Sequence, residues 1–174
     1  MIVLVNGAFG IGKTTVARRL RRRVPGSTVF DPERIGIVLQ RLPAWIPLDG
    51  RGTDDFQDLA LWRRATVRGI RAARAWRRTV IVPMAFSNRA YLDEIRRGAA
   101  DFDADVRHFC LIAPLAVVLH RQSVRGRGRM HAWQVRRAAE CCAAHAGTDF
   151  AEHVDAERQS AEEIATAIAR RLSA

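Results

Sequence analysis

One stretch near the start of the chain limits what it can fold into. Ile2-Val3-Leu4-Val5 is an uninterrupted apolar run. Gly7-Ala8-Phe9-Gly10-Ile11-Gly12-Lys13-Thr14 follows it, and a helical pattern opens at Thr15. Strand, glycine-rich turn and helix in that order form the GxxxxGKT phosphate-binding loop in its proper context. Glycines let the backbone turn its N–H groups inward onto phosphate oxygens, and the helix N-terminus adds partial positive charge. Gly7 to Thr15 are therefore the candidate nucleotide-binding residues. Lys13 is placed to reach the β- and γ-phosphates, and the Thr14 hydroxyl to hold Mg²⁺.

Composition sharpens this. Of the 29 basic residues, 28 are arginine, and the single lysine is Lys13. A chain that uses arginine everywhere else keeps a compact ammonium on a flexible stem at the one place where a planar guanidinium would not substitute. The formal charge of +11 permits nucleic acid, an anionic membrane face or phosphorylated ligands as partners. The arginines are spread along the chain, which favours solvated helix faces over a nucleic-acid tail. Cys110, Cys141 and Cys142 show no metal-ligand spacing, and neighbouring cysteines form no ordinary disulfide. With no leader pattern and no apolar run of membrane-spanning length, a cytoplasmic protein is expected.

Strand and helix patterns alternate along all 174 residues. Val16, Leu20 and Val24 repeat at helical spacing up to Pro25-Gly26. Strands are expected at Ser27–Phe30, at Thr79–Pro83 and from Asp105 to Ala113, with a short one ending at Asp155. A short helix through Ile35, Val38 and Leu39 precedes a Pro- and Gly-rich loop. A long helix is expected to open at Asp54, with Gln57 closing a capping box and Leu59, Trp62, Thr66, Ile70 and Ala73 inward. Ser160 and Glu163 form the box of the last helix. The fold is thus a single α/β domain over 1–174: a five-stranded parallel sheet with helices on both faces and ligands at the strands' carboxyl ends.

Asp31 closes the second strand, on the same edge as the phosphate loop. It is either an acid that takes a proton from an acceptor hydroxyl or holds a magnesium-bound water, or a plain cap before Pro32 and Glu33. The third strand ends in Pro83-Met84 without the carboxylate on which motor-type ATPases depend, which favours a small kinase and raises the value of Asp31. The run of arginines and glycines at about 121–131 reads as a mobile lid, with Arg121 and Arg125 closing over phosphates. Trp45, Asp54, Trp62 and Met84 are the candidate acceptor contacts, although Trp62 and Met84 also suit the core.

Together, Asn6-Gly7-Ala8-Phe9-Gly10-Ile11-Gly12-Lys13-Thr14, Phe30-Asp31-Pro32-Glu33, Asp54-Asp55-Phe56-Gln57, Leu61-Trp62-Arg63 and Ile81-Val82-Pro83-Met84 resemble the tunicamycin-resistance protein family. His108-Phe109, Trp133 and Phe150 to Asp155 extend the resemblance over nearly the whole chain. It implies a P-loop fold like that of nucleoside and shikimate kinases, ATP with Mg²⁺, and Asp31 in the active site. It also implies an acceptor such as tunicamycin, a nucleoside antibiotic. Phosphorylation of the drug and its ATP-dependent sequestration are both compatible with it. The expected partners are ATP and a nucleoside-like small molecule, in a monomer or homodimer. A nucleic-acid-stimulated ATPase is the third alternative.

Overall fold

The computed structural model describes residues 1–42, 55–126, 131–150 and 152–173. Five strands form one sheet in the order β2-β3-β1-β4-β5: β1 (Ile2–Gly7), β2 (Ser27–Val29), β3 (Thr79–Pro83), β4 (Val106–Ile112) and β5 (His153–Asp155). All neighbours pair in parallel, with Val3 opposite Ile81 on one side and Arg107 on the other. β1 lies at the centre and is buried throughout. Its apolar run does not alternate with polar residues because both faces of the sheet are covered.

Period-2 geometry then splits the core. Val3, Val5, Ile81 and Leu111 meet Val16 and Leu20 of α1 (Lys13–Arg23) and Ile164 and Ile168 of α7 (Ala161–Ser173). Ile2, Leu4, Val80 and Val82 meet Trp62 and Ile70 of α3 (Ala60–Trp76) and Leu92 and Ile95 of α4 (Arg89–Ala100). Ser160 and Glu163 cap α7 reciprocally, as their spacing predicts.

Three features differ from the sequence expectation. Asp55 supplies a cap: its Oδ1 accepts from Gln57 N–H at 2.9 Å and opens a 3-10 turn over Phe56–Asp58. The helix proper starts only at Ala60, because Leu59 is extended. In α2 (Glu33–Gln40), Val38 points to solvent, while Ile35 and Leu39 pack inward. Finally, α5 (Leu115–Arg125) continues through the first part of the expected lid. No glycine or proline interrupts Arg121 to Arg125, and the helix ends at Gly126, the first residue suited to stopping it. The rest of the expected lid at 127–130, the 43–54 loop, Trp45 and Asp54 lie outside the described residues. α6 (Ala132–His145) follows.

Candidate active site

The winding of the sheet reverses between β1 and β4, and the phosphate loop leaves the carboxyl end of β1 beside that point. Within the loop, Gly10 and Gly12 have φ of 91° and 114°, a region that favours glycine. Gly10 has a second constraint. A Cβ there would lie 2.3 Å from Gln122 Cγ of α5. Gln122 Nε2 donates to Phe9 O at 2.5 Å, and Arg121 Nη1 donates to Ile11 O at 3.2 Å. α5 therefore braces the loop through the Phe9 and Ile11 carbonyls. Arg121 is engaged with loop backbone, while Arg125, one turn on, reaches the phosphate cavity.

That cavity, of about 70 Å³, is lined by Phe9, Gly10, Gly12, Lys13, Thr14, Glu33 and Arg125. Lys13 is 6% exposed and donates to Ala8 O at 3.0 Å. Burial pushes its ammonium below the ordinary lysine range, against the pull of the Glu33 carboxylate. Glu33 moves the other way: burial raises it, and Lys13 opposes the rise. Two charges of opposite sign thus hold each other beside the loop. Asp31 is nearby and electrostatically coupled to both. Its Oδ1 accepts from Glu33 N–H at 3.1 Å, so it caps the start of α2.

A second cavity of about 180 Å³ adjoins the first and shares Phe9 and Glu33 with it. Asp55, Gln57, Trp133 and Arg137 complete its polar and aromatic walls. Asp55 and Arg137 pair at 2.6 Å, and Arg137 also reaches Ser87 Oγ at 3.1 Å. Burial raises Asp55 above the usual carboxylate range, although Gln57 N–H and Arg137 both favour its charge. Trp133 stands edge-on to Phe9 at 5.7 Å, and its buried indole N–H finds no acceptor among the described residues. Cys141 lines the same cavity as a thiol, its ionisation disfavoured by burial. A third and larger cavity, of about 520 Å³, lies on the opposite side of the loop between the ends of β4 and β5, with Ile11, Leu111, Pro114, His145 and Arg158 among its walls.

Two expected acceptor contacts are corrected. Trp62 is 2% exposed and stacks among Phe56 and Phe86, with its indole N–H donating to Pro32 O at 3.0 Å. Met84 is equally enclosed in the same core. Neither lines the two cavities beside the loop. Glu33, Asp55, Gln57, Trp133 and Arg137 line these cavities but are not among the residues that sequence reasoning selected. For Glu33 the signal was present: it lies two residues after Asp31, on the first turn of a helix that starts at the loop's edge. Arg137 carried none, since its partner Asp55 is 82 residues away.

The donor set fits a magnesium nucleotide. Lys13 and the glycine-rich loop suit a phosphate chain, and Thr14 with the nearby Asp31 carboxylate offers hard oxygen donors.

The AAA domain family model matches residues 2–140. The structure is similar to that of the Deinococcus radiodurans tunicamycin resistance protein, with 31% sequence identity, 98% of this chain and 94% of that chain covered, and a TM-score of 0.77. It is similar in fold to a gluconokinase from Sinorhizobium meliloti, at 21% identity, 98% and 91% coverage and a TM-score of 0.66. A shikimate kinase from Acinetobacter baumannii shares the fold at 16% identity, 99% and 92% coverage and a TM-score of 0.64. No curated protein matches the sequence. A phosphate loop braced by α5, on a 2-3-1-4-5 parallel sheet shared with small-molecule kinases, agrees with these matches: the chain belongs to the AAA domain family and, within that fold, to the tunicamycin-resistance proteins.

Proposed function

We propose that this protein is an ATP-dependent phosphotransferase acting on a hydroxyl of a small molecule, with a nucleoside antibiotic such as tunicamycin as the acceptor, so that transfer gives resistance. The observation that carries this is the position of Glu33. It lines both the phosphate cavity and the adjoining Asp55–Arg137 cavity, so one carboxylate stands where a donor phosphate and an acceptor hydroxyl would meet.

Each residue then has a defined role. Loop amides and Lys13 hold the phosphate chain, and Arg125 balances charge spread over the transferring group. Thr14, with Asp31 through water, would hold Mg²⁺, which when bound neutralises phosphate charge. Glu33 takes the proton from the acceptor hydroxyl as its oxygen bonds to the γ-phosphorus and the bond to ADP breaks. Burial raises its pKa above the ordinary carboxylate range, which strengthens it as a proton acceptor. Asp31 orients Glu33 by fixing the start of α2. Arg137, Gln57 and Trp133 N–H position the acceptor. The nucleoside half of ATP has room in the larger cavity on the β4–β5 side.

The test is incubation with ATP, Mg²⁺ and tunicamycin, followed by mass spectrometry of the drug. A phosphate added to the drug is expected, with stoichiometric release of ADP. Protection that saturates at one drug per protein, without a phosphorylated product, would instead establish sequestration.

A further inference from the structure

The charged side chains around the proposed acceptor cavity are already matched to one another. Asp55 and Arg137 line it, 14% and 16% exposed, and pair at 2.6 Å through Arg137 Nη2. Nη1 of the same guanidinium donates to Ser87 Oγ at 3.1 Å and to the Glu140 carboxylate. Both terminal nitrogens of Arg137 are therefore engaged by the protein itself. Burial disfavours its charge, and the two carboxylates more than offset that. Glu33, the other carboxylate lining the cavity, is set against Lys13 and Arg125 of the phosphate cavity.

An ion pair between α6 and the turn before α3 would clamp those elements wherever it lay. Its place on a cavity wall has a chemical consequence. An arginine with open N–H groups captures a carboxylate or phosphate through paired hydrogen bonds. Those groups of Arg137 are filled by the chain's own carboxylates, so an acid entering the cavity has to displace one of them. It also meets Glu33 and Asp55 in a site with little water, where like charges repel strongly. A buried polar group of the wall that finds no acceptor among the described residues, the Trp133 indole N–H, is uncharged. It suits a carbonyl or hydroxyl oxygen, and the rings of Phe9, Phe56 and Trp133 suit the apolar face of a ring.

We propose, on the reading of this cavity as the acceptor site, that Asp55 is a specificity-determining residue. By holding Arg137 it makes the cavity select an uncharged, hydroxyl-bearing acceptor and reject hydroxy acids and phosphorylated sugars. Asp55 acts through Arg137 and through its own charge, and takes no part in moving the acceptor proton. The selection is made at the binding step, whether or not phosphoryl transfer follows. Loss of the Asp55 charge alone would leave Arg137 able to reward an acid in place of a neutral molecule.

The experiment is isothermal titration of the full chain, loaded with Mg²⁺ and a non-hydrolysable ATP analogue, with shikimate and with methyl shikimate. The two carry the same ring hydroxyls and differ by the charge of a carboxylate. The parent protein is expected to bind the ester about tenfold more tightly than the acid. Asp55→Asn keeps an oxygen for Gln57 N–H and so keeps the turn. It should raise affinity for shikimate about tenfold and change that for the ester less than about threefold. Asp55→Ser, which also caps such a turn, gives a second measurement of the same gain. Adding Arg137→Gln to Asp55→Asn should abolish it. A clamp with no part in specificity predicts a lower melting temperature and an equal loss for both ligands. Three results would each overturn the proposal: shikimate bound by the parent as tightly as its ester, no gain of acid binding in either Asp55 variant, or a gain that persists without Arg137. Phosphorylation of tunicamycin is read separately. If the drug gains no phosphate while the charge preference switches, the kinase reading fails and the selection by Asp55 stands; if the drug is phosphorylated and no switch occurs, only the selection fails.

Discussion

Glu33 and Asp31 are two residues apart, and only Glu33 lines the two cavities. Glu33→Gln is expected to lower kcat by roughly 10²–10³-fold while ATP binding persists, since a base is lost but no phosphate contact. Because burial raises Glu33, its ionised form is lost at a higher pH than for an ordinary carboxylate. The acid limb of kcat/KM should therefore lie above the usual carboxylate range and vanish in Glu33→Gln. Asp31→Asn keeps an oxygen for Glu33 N–H, so stability should hold while kcat falls less. Gly10→Ala combines a left-handed φ with a clash at Gln122 Cγ. It should cost about 1–2 kcal/mol from φ alone and more from the clash, with nucleotide affinity lost in a thermal-shift titration. His145 provides a pH test of stability. It is 2% exposed, and burial lowers it from 6.5 to about 4, while its hydrogen bond to Phe86 O opposes the shift. The unfolded chain binds the proton first as pH falls, so stability present above pH 6.5 drops progressively towards pH 4. The loss should reach about 3 kcal/mol, measured by urea unfolding across that window and absent in His145→Phe.

At the scale of elements, the wall of the proposed acceptor cavity depends on a link between parts distant in the chain. Arg137 on α6 pairs with Asp55 at the 3-10 turn before α3. Arg137→Ala leaves a half-buried carboxylate without its cation and should cost about 2 kcal/mol. It should raise KM for the acceptor and leave KM for ATP unchanged, a split that steady-state kinetics reads directly. The elements differ in how legible they were. The capping box of α7 and the stop of α1 at Pro25-Gly26 are local chemistry, and both lie where the residues indicate. The α5 boundary was misplaced because arginines were weighed as lid residues, although arginine is a good helix former and the first strong helix breaker is Gly126. Asp55 caps the turn before α3, and residue type alone does not mark it out from its neighbouring aspartate.

For the whole molecule, the braced loop makes nucleotide binding a source of global stability. At a hundredfold excess over Kd, ATP should add about 2.7 kcal/mol, seen as a rise in melting temperature. Lys13→Ala should remove most of that rise, because a buried ammonium is deleted from the phosphate cavity. Acceptor binding, on the far wall, should persist. By itself the sequence determined the parallel α/β class, the phosphate loop and the single lysine at its heart. These depend on apolar runs, glycine spacing and caps, all of which act within a few residues. Only the tertiary structure decided which carboxylate lines both cavities, that Trp62 and Met84 are core, and that Gln122 and Arg121 hold the loop. Those outcomes come from elements as far as 113 residues apart meeting at one sheet edge. Their side chains are chosen by steric fit and burial in three dimensions, which local patterns of polarity do not encode.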